Sequence, residues 1–368
     1  MPRRPFRRAL ERAAARLAPA TRSGGPLRGV LPALALLACL SALSGGARAA
    51  EYDLQRARPL HAYLLASSPD SLRDLRAHPR SVGVLYPTYF DCAVPSGGVT
   101  GADVPEDTAY ARAHGIAVMP RFNCQDGATV HRILTVPALR AATLARLSSI
   151  ARSASYQGLN LDFENDGATD RAALSTFVAA LAARLHALHK KLSVVVVGVS
   201  LDDPMRSTGF YDDRALAALA DTVFVMGWGA HWQGSAPGPI APRDQVAAIA
   251  RYLASLPGAS RFVLGAPMYG VDWPAGGGRA HPGTAYQYAG IVALAHAVRA
   301  HVRRDPASAE LTFRYTDAAG VGHEVWSMDG GAVAALLRIA REHGLAGGLW
   351  RLGEEDQRLW SSSQIASR

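Results

Sequence analysis

The sequence predicts an α/β fold, a (β/α)8 TIM-type barrel with a small α+β insertion between strands 7 and 8. Three observations carry this reading. Short apolar runs alternate with helix-period segments along the chain after its arginine-rich leader, the pattern of repeated βα units. Eight such runs can be placed, the number that closes a parallel barrel. One of them, Gly158 to Glu164, alternates apolar and polar residues strictly, as a strand with two chemically different faces does.

The candidate strands are His61 to Leu65, Ser81 to Tyr86, Ile116 to Arg121, Gly158 to Asp162, Leu192 to Val199, Thr222 to Trp228, Arg261 to Met268 and Leu345 to Trp350. Between the fourth and fifth, Thr169 or Asp170 can cap a helix whose apolar positions Leu174, Phe177, Val178, Leu181, Leu185 and Leu188 share one stripe. Between the seventh and eighth, about 75 residues replace the few dozen of an ordinary βα unit. The excess, about residues 284–328, reads as an insertion. Leu311 to Tyr315 and His323 to Trp326 flank a turn containing Asp317 and Gly320, so part of it is predicted as a hairpin.

The fourth strand carries the chemistry. Side chains alternate across a strand, so Asn160, Asp162 and Glu164 share one face and Leu159, Leu161 and Phe163 the other. In a barrel the apolar face packs on helices, and the polar face points into the mouth at the strand's C-terminal end, where active sites of such barrels lie. Alternation alone fits an ordinary strand with a solvated face equally well. The rest of the chain has to separate the two.

Composition narrows the partners. The formal net charge of the 368 residues is +9, but residues 1–49 hold nine arginines and one glutamate, which leaves +1 for the remainder. The main body has no run of like charge, and no nucleic-acid footprint. The leader has a basic start, an apolar stretch from Val30 to Leu43 and Ala47, Arg48, Ala49 before Ala50. It resembles a secretory signal peptide cleaved after Ala49, so residues 50–368 form the expected mature chain. An uncleaved anchor and lipidation at Cys39 are the alternatives. After cleavage only Cys92 and Cys124 remain. In an exported protein they suggest one disulfide, the alternative being two buried thiols. No CxxC or HxxxH spacing accompanies them, and no metal or cofactor is expected.

The motifs resemble those of glycoside hydrolase family 18, the chitinase-like barrels. The family's fourth-strand motif DxxDxDxE falls here on Gln157, Asn160, Asp162 and Glu164, and the GxNxDFE form is similar to the branch of cell-wall and spore-cortex glucosaminidases. Similarity continues through Leu264 to Trp273, His323 to Trp326 and Gly347 to Gly353. The resemblance implies that Glu164 protonates the glycosidic oxygen and that Asp162 orients the substrate acetamido group, whose carbonyl oxygen attacks C1. It implies that Asn160, Trp228, Tyr269 and Trp350 bind substrate, the aromatic rings as stacking platforms.

One segment departs from the family. Where the sixth strand of relatives ends in MxYD, this chain has Met226, Gly227, Trp228 and Gly229, although Pro237 to Ala241 keeps the PGPIA pattern that follows. Trp228 offers an indole N–H but Gly229 no carboxylate. Two functions follow as expectations. The first is an exported, monomeric retaining glycosidase acting on β-1,4 linkages of an N-acetylglucosamine polymer such as peptidoglycan or chitin, with no nucleic-acid or transmembrane partner. The second is a carbohydrate-binding pseudoenzyme on the same fold. Under the first, restoring Thr, Tyr and Asp at positions 227–229 is expected to raise turnover.

Overall fold

The computed structural model describes residues 59–164, 168–198 and 209–361. The expected signal segment and Cys39 lie outside them. The eight staves are Leu60–Leu64, Val82–Pro87, a third in two pieces (Ala117–Val118 and Arg121–Cys124), Gly158–Phe163, Lys191–Val197, Thr222–Met226, Phe262–Pro267 and Ala346–Trp350. Successive staves pair in parallel, and the eighth pairs in parallel with the first. The predicted barrel is therefore present.

The third stave is broken for a covalent reason. Pro120 has no N–H to give to a ladder, so regular pairing lapses at Met119 and Pro120. Closure survives through the flanking atoms. The Met119 N–H donates to the Leu85 carbonyl on one side (2.9 Å), while the Gln157 and Asn160 N–H groups donate to the Val118 and Pro120 carbonyls on the other (2.9 Å each). Sequence reading ended this strand at Arg121. It runs on to Cys124, and a short strand Phe90–Cys92 pairs beside it, with Asp91 opposite Asn123.

The two faces of the fourth stave separate as alternation requires. Leu159, Leu161 and Phe163 belong to the core between staves and helices, and Phe163 lies 5.5 Å, ring to ring, from Phe177 of the helix Arg171–His186. That helix buries Leu174, Phe177, Val178, Leu181 and Leu185, each contributing about 1.5–3 kcal/mol of apolar transfer. Leu188 falls beyond its end. Asp170 stands at its N-cap, but its carboxylate meets His131 Nδ1 at 2.8 Å and does not cap the helix. A second core of Tyr63, Tyr86, Met119, Val195, Phe224, Val263 and Ala346 fills the barrel interior, the position of layered side chains in such barrels.

The stretch after the seventh stave forms its own antiparallel sheet of five strands, in the order Thr284–Gln287, Tyr269–Pro274, Gly322–Ser327, Leu311–Thr316, Arg303–Arg304. Its first strand starts at Tyr269, earlier than residue 284. The hairpin is found where expected. The Asp317 carboxylate accepts the Ala319 and Val321 N–H groups, and Gly320 takes the positive φ of 82° that the turn needs. Glu310 fastens this sheet to the barrel: fully buried, it accepts the N–H groups of Ile240 (2.9 Å) and Ala241 (2.8 Å) in the loop after the sixth stave.

Phe90 lies opposite Phe122 and Asp91 opposite Asn123 in parallel register, so Cys92 and Cys124 follow as neighbours. They form a disulfide with a Cα separation of 5.2 Å, across 32 residues of sequence. Closing a loop of that size removes unfolded-state entropy worth about 3–4 kcal/mol. Replacing both cysteines by alanine should lower the unfolding free energy by roughly 3 kcal/mol, as read from urea denaturation of the oxidised protein. An unchanged midpoint would show that the cross-link contributes nothing.

Candidate active site

All eight staves run the same way, so their C-terminal ends meet at one mouth. Asp162 lies there near the end of the fourth stave and Glu164 directly after it. Asp162 is 3 % exposed. One of its oxygens, Oδ2, accepts from Arg121 Nη1 at 3.0 Å, while Oδ1 is buried without a partner among the described residues. Burial is the largest influence on this carboxyl group. It pushes the pKa up to about 7, the Arg121 cation working against it and the negative charges of Glu164 and Asp91 adding to it. Glu164 is more open. Its backbone N–H donates to the Cys124 carbonyl (3.0 Å), and its Oε1 accepts from Gln125 Nε2 (2.6 Å).

Asn160 departs from its expected role. It is 0 % exposed, and both ends of its amide are occupied: Tyr63 Oη donates to Oδ1 and Nδ2 donates to Ser193 Oγ, each at 3.0 Å. Ser193 Oγ continues to Tyr86 Oη (3.2 Å), which meets His61 Nδ1 (2.8 Å). Burial lowers the His61 pKa to about 4 and raises the Tyr63 phenol well above its usual range, so this polar string is uncharged near neutral pH. It lies one layer below the mouth and fixes the floor on which Asp162 stands.

The three aromatic candidates do gather. Trp350 ends the eighth stave, and its ring faces Trp228 at 6.5 Å between centroids with 27° between planes. Tyr63 meets Trp350 edge-on at 4.9 Å. Tyr269 and Trp228 pack against the buried group of Ile240, Val271 and Trp273 that roots the second sheet. All three candidates keep part of their surface in the open. A separate cleft of about 540 Å³ on the second sheet is lined by Trp273, Tyr315 and His323 among others, and by none of the mouth residues.

Sequence reading missed Arg121, Asn123, Asp91 and Gln125. Arg121, Asn123 and Gln125 alternate with Phe122 and Cys124, the same signal that identified the fourth stave, but it starts immediately after a proline. Asn123 Nδ2 donates to Asp91 Oδ1 at 3.0 Å. The Arg121 guanidinium carbon lies 5.3 Å from the Trp350 ring centroid, so this side chain reaches from the third stave towards the eighth. A cation over an indole face is an attractive contact.

Residues 108–354 match Glycosyl hydrolases family 18. The chain belongs to this family. Among curated relatives, it is 26% identical over 276 residues to the uncharacterized glycosylase YvbX of Bacillus subtilis (strain 168), covering 73% of this chain and 80% of the relative. It is 28% identical over 235 residues to a cortical fragment-lytic enzyme of Bacillus anthracis, covering 62% of this chain and 54% of that enzyme. The chain thus spans about half the length of that relative. Among solved structures, a chitinase from Chromobacterium violaceum ATCC 12472 superposes with a TM-score of 0.74 and 27% identity, over 85% of this chain and 100% of that one. Within that family the chain is related to proteins named cortical fragment-lytic enzyme and chitinase.

The departure at residues 226–229 is built into the backbone. A Cβ on Gly227 would come within 2.6 Å of the Gly265 carbonyl oxygen, and Gly229 has φ of 95°, where a side chain is strained. The expectation that Gly227→Thr, Trp228→Tyr and Gly229→Asp together raise turnover is therefore withdrawn, because the substituted backbone could not keep its present path. Charge around Asp162 can be tested more directly. In carboxyl ¹³C NMR titrations, Asp162 should titrate near pH 7, Glu164→Gln should move its midpoint down by removing a negative neighbour, and Arg121→Gln should move it up. A shift of either variant in the opposite direction would contradict this account of the site.

Proposed function

We propose that residues 50–368 form an exported retaining glycosidase that hydrolyses β-1,4 linkages in an N-acetylglucosamine-containing polysaccharide, peptidoglycan or chitin-like, by substrate-assisted catalysis. The observation that carries the reading is Asp162 near the C-terminal end of the fourth stave with Glu164 directly after it, Asp162 Oδ1 being buried and free to accept a hydrogen bond. An acetamido N–H is the donor that such an acceptor takes. A relative named cortical fragment-lytic enzyme and a neighbour named chitinase support amino-sugar polymers as substrates. The leader supports export.

In this reading Trp350 stacks beneath the sugar at which cleavage occurs, with Trp228 and Tyr269 bounding it. Asp162 accepts the acetamido N–H and holds the group under C1. The carbonyl oxygen of that group bonds to C1 from below as the bond from C1 to the leaving oxygen breaks. The electron pair departs with the leaving oxygen, which takes the proton of Glu164. Glu164, now a carboxylate, takes a proton from a water that attacks C1 from above as the bond between C1 and the acetamido oxygen breaks, which restores the acetamido group and leaves the product with the β configuration.

Wild-type protein should release reducing ends from chitooligosaccharides or cell-wall glycan, and Glu164→Gln should lower that rate by about 100-fold or more, the contribution of a positioned general acid. Full activity in the variant would remove Glu164 from this role. The loss of the MxYD side chains favours a second reading, a carbohydrate-binding pseudoenzyme. Tight glycan binding by wild type with no released ends would select it.

A further inference from the structure

Three buried polar atoms at the mouth have no hydrogen-bond partner among the described residues: Arg121 Nε, Asn123 Oδ1 and Asp162 Oδ1. Their residues are 8 %, 3 % and 3 % exposed, and they sit on adjacent strands with Asn123 directly opposite Asp162. Folded proteins seldom leave such atoms unpaired, and a ligand that completes them is one physical explanation. The pattern is specific. One atom is a donor and two are acceptors, so the completing group offers one acceptor and two donors.

The sign of the missing partner follows from the charges. The Arg121 guanidinium already has a counter-ion in Asp162, at 3.0 Å, and its face lies towards Trp350. What Nε lacks is a neutral acceptor rather than an anion. Asn123 has its orientation set by donating to Asp91, which turns its oxygen into an acceptor for a hydroxyl. Gly229 and Trp228 leave the sixth stave with no carboxylate or phenol for the carbonyl of an acetamido group.

We propose that Arg121 and Asn123 determine specificity in this barrel, Arg121 Nε donating to the acetamido oxygen of the bound sugar and Asn123 Oδ1 accepting from a sugar hydroxyl. The inference rests on the amino-sugar reading above and names what that site selects: N-acetylated units over de-N-acetylated ones. A free amine, once protonated, offers donors only. Its ammonium satisfies Asp162 but leaves Arg121 Nε without an acceptor and sets a second cation beside the guanidinium.

Arg121→Lys isolates the contact. Lysine keeps a cation for Asp162 but carries a methylene where arginine has its Nε–H. The experiment is calorimetric binding of chitotetraose and of its fully de-N-acetylated counterpart to Glu164→Gln, in which turnover is slowed about 100-fold or more. The Glu164→Gln protein should prefer the acetylated ligand by about tenfold or more. Adding Arg121→Lys should bring the two ligands within about threefold by weakening the acetylated one. Adding Asn123→Ala should weaken both alike, and it leaves the Arg121–Asp162 pair in place should the lysine variant fail to fold. A preference that survives Arg121→Lys, or equal loss for both ligands, overturns the assignment of Arg121 and leaves the amino-sugar reading standing. Loss confined to one ligand in Asn123→Ala overturns the assignment of Asn123. Binding of neither ligand by the parent protein removes the amino-sugar reading, and this inference with it.

Discussion

The parallel register of the third and fourth staves, which sets Arg121 opposite Asn160 and Asn123 opposite Asp162, is the constraint on which the site depends. Paired positions on parallel strands point to the same side of the sheet. Because the fourth stave turns its polar residues into the barrel, the third must turn Arg121 and Asn123 in as well. The same register brings Cys124 beside Phe163 and, through the strand Phe90–Cys92, beside Cys92. The ion pair, the unpaired acceptors and the disulfide are thus consequences of one alignment.

A buried ion pair is a poor source of stability, since desolvating two charges costs about what their attraction returns. Its value here is positional. Arg121 gives Asp162 a fixed direction and opposes the burial that would otherwise keep it protonated. Where the resembled DxxDxDxE motif has an acid, this chain has Asn160. In this chain Asn160 is neutral and spends both ends of its amide on Tyr63 and Ser193, so charge enters the floor from the third stave instead.

Much of this was legible in the sequence, and the reason differs by element. The fourth stave announces itself through uninterrupted alternation, and the helix after it through a stripe of apolar residues that the structure buries. The hairpin of the second sheet was visible in its turn residues. Arg121 and Asn123 were overlooked because the third strand was ended at Arg121, so the alternation that begins there was not followed on to Asn123 and Gln125. The partners of Asn160 were beyond reach, since Tyr63 and Ser193 are 97 and 33 residues away in sequence. Gly229 read as a missing carboxylate, whereas its φ of 95° and the carbonyl against Gly227 call for glycine at both positions. A substitution argued from motifs alone could not see the carbonyl of Gly265.

The central claim is that Glu164 acts as acid and then base while the substrate's own acetamido group, held by Asp162, attacks C1. It fixes the stereochemistry of the first product. Proton NMR of the anomeric region, recorded within the first minutes of hydrolysis of a chitooligosaccharide and before mutarotation, tests it most directly. The account predicts that the β-anomer appears first, with the α-anomer following only at the rate of mutarotation. An α-anomer formed first would mean that water attacks C1 directly, and would contradict it.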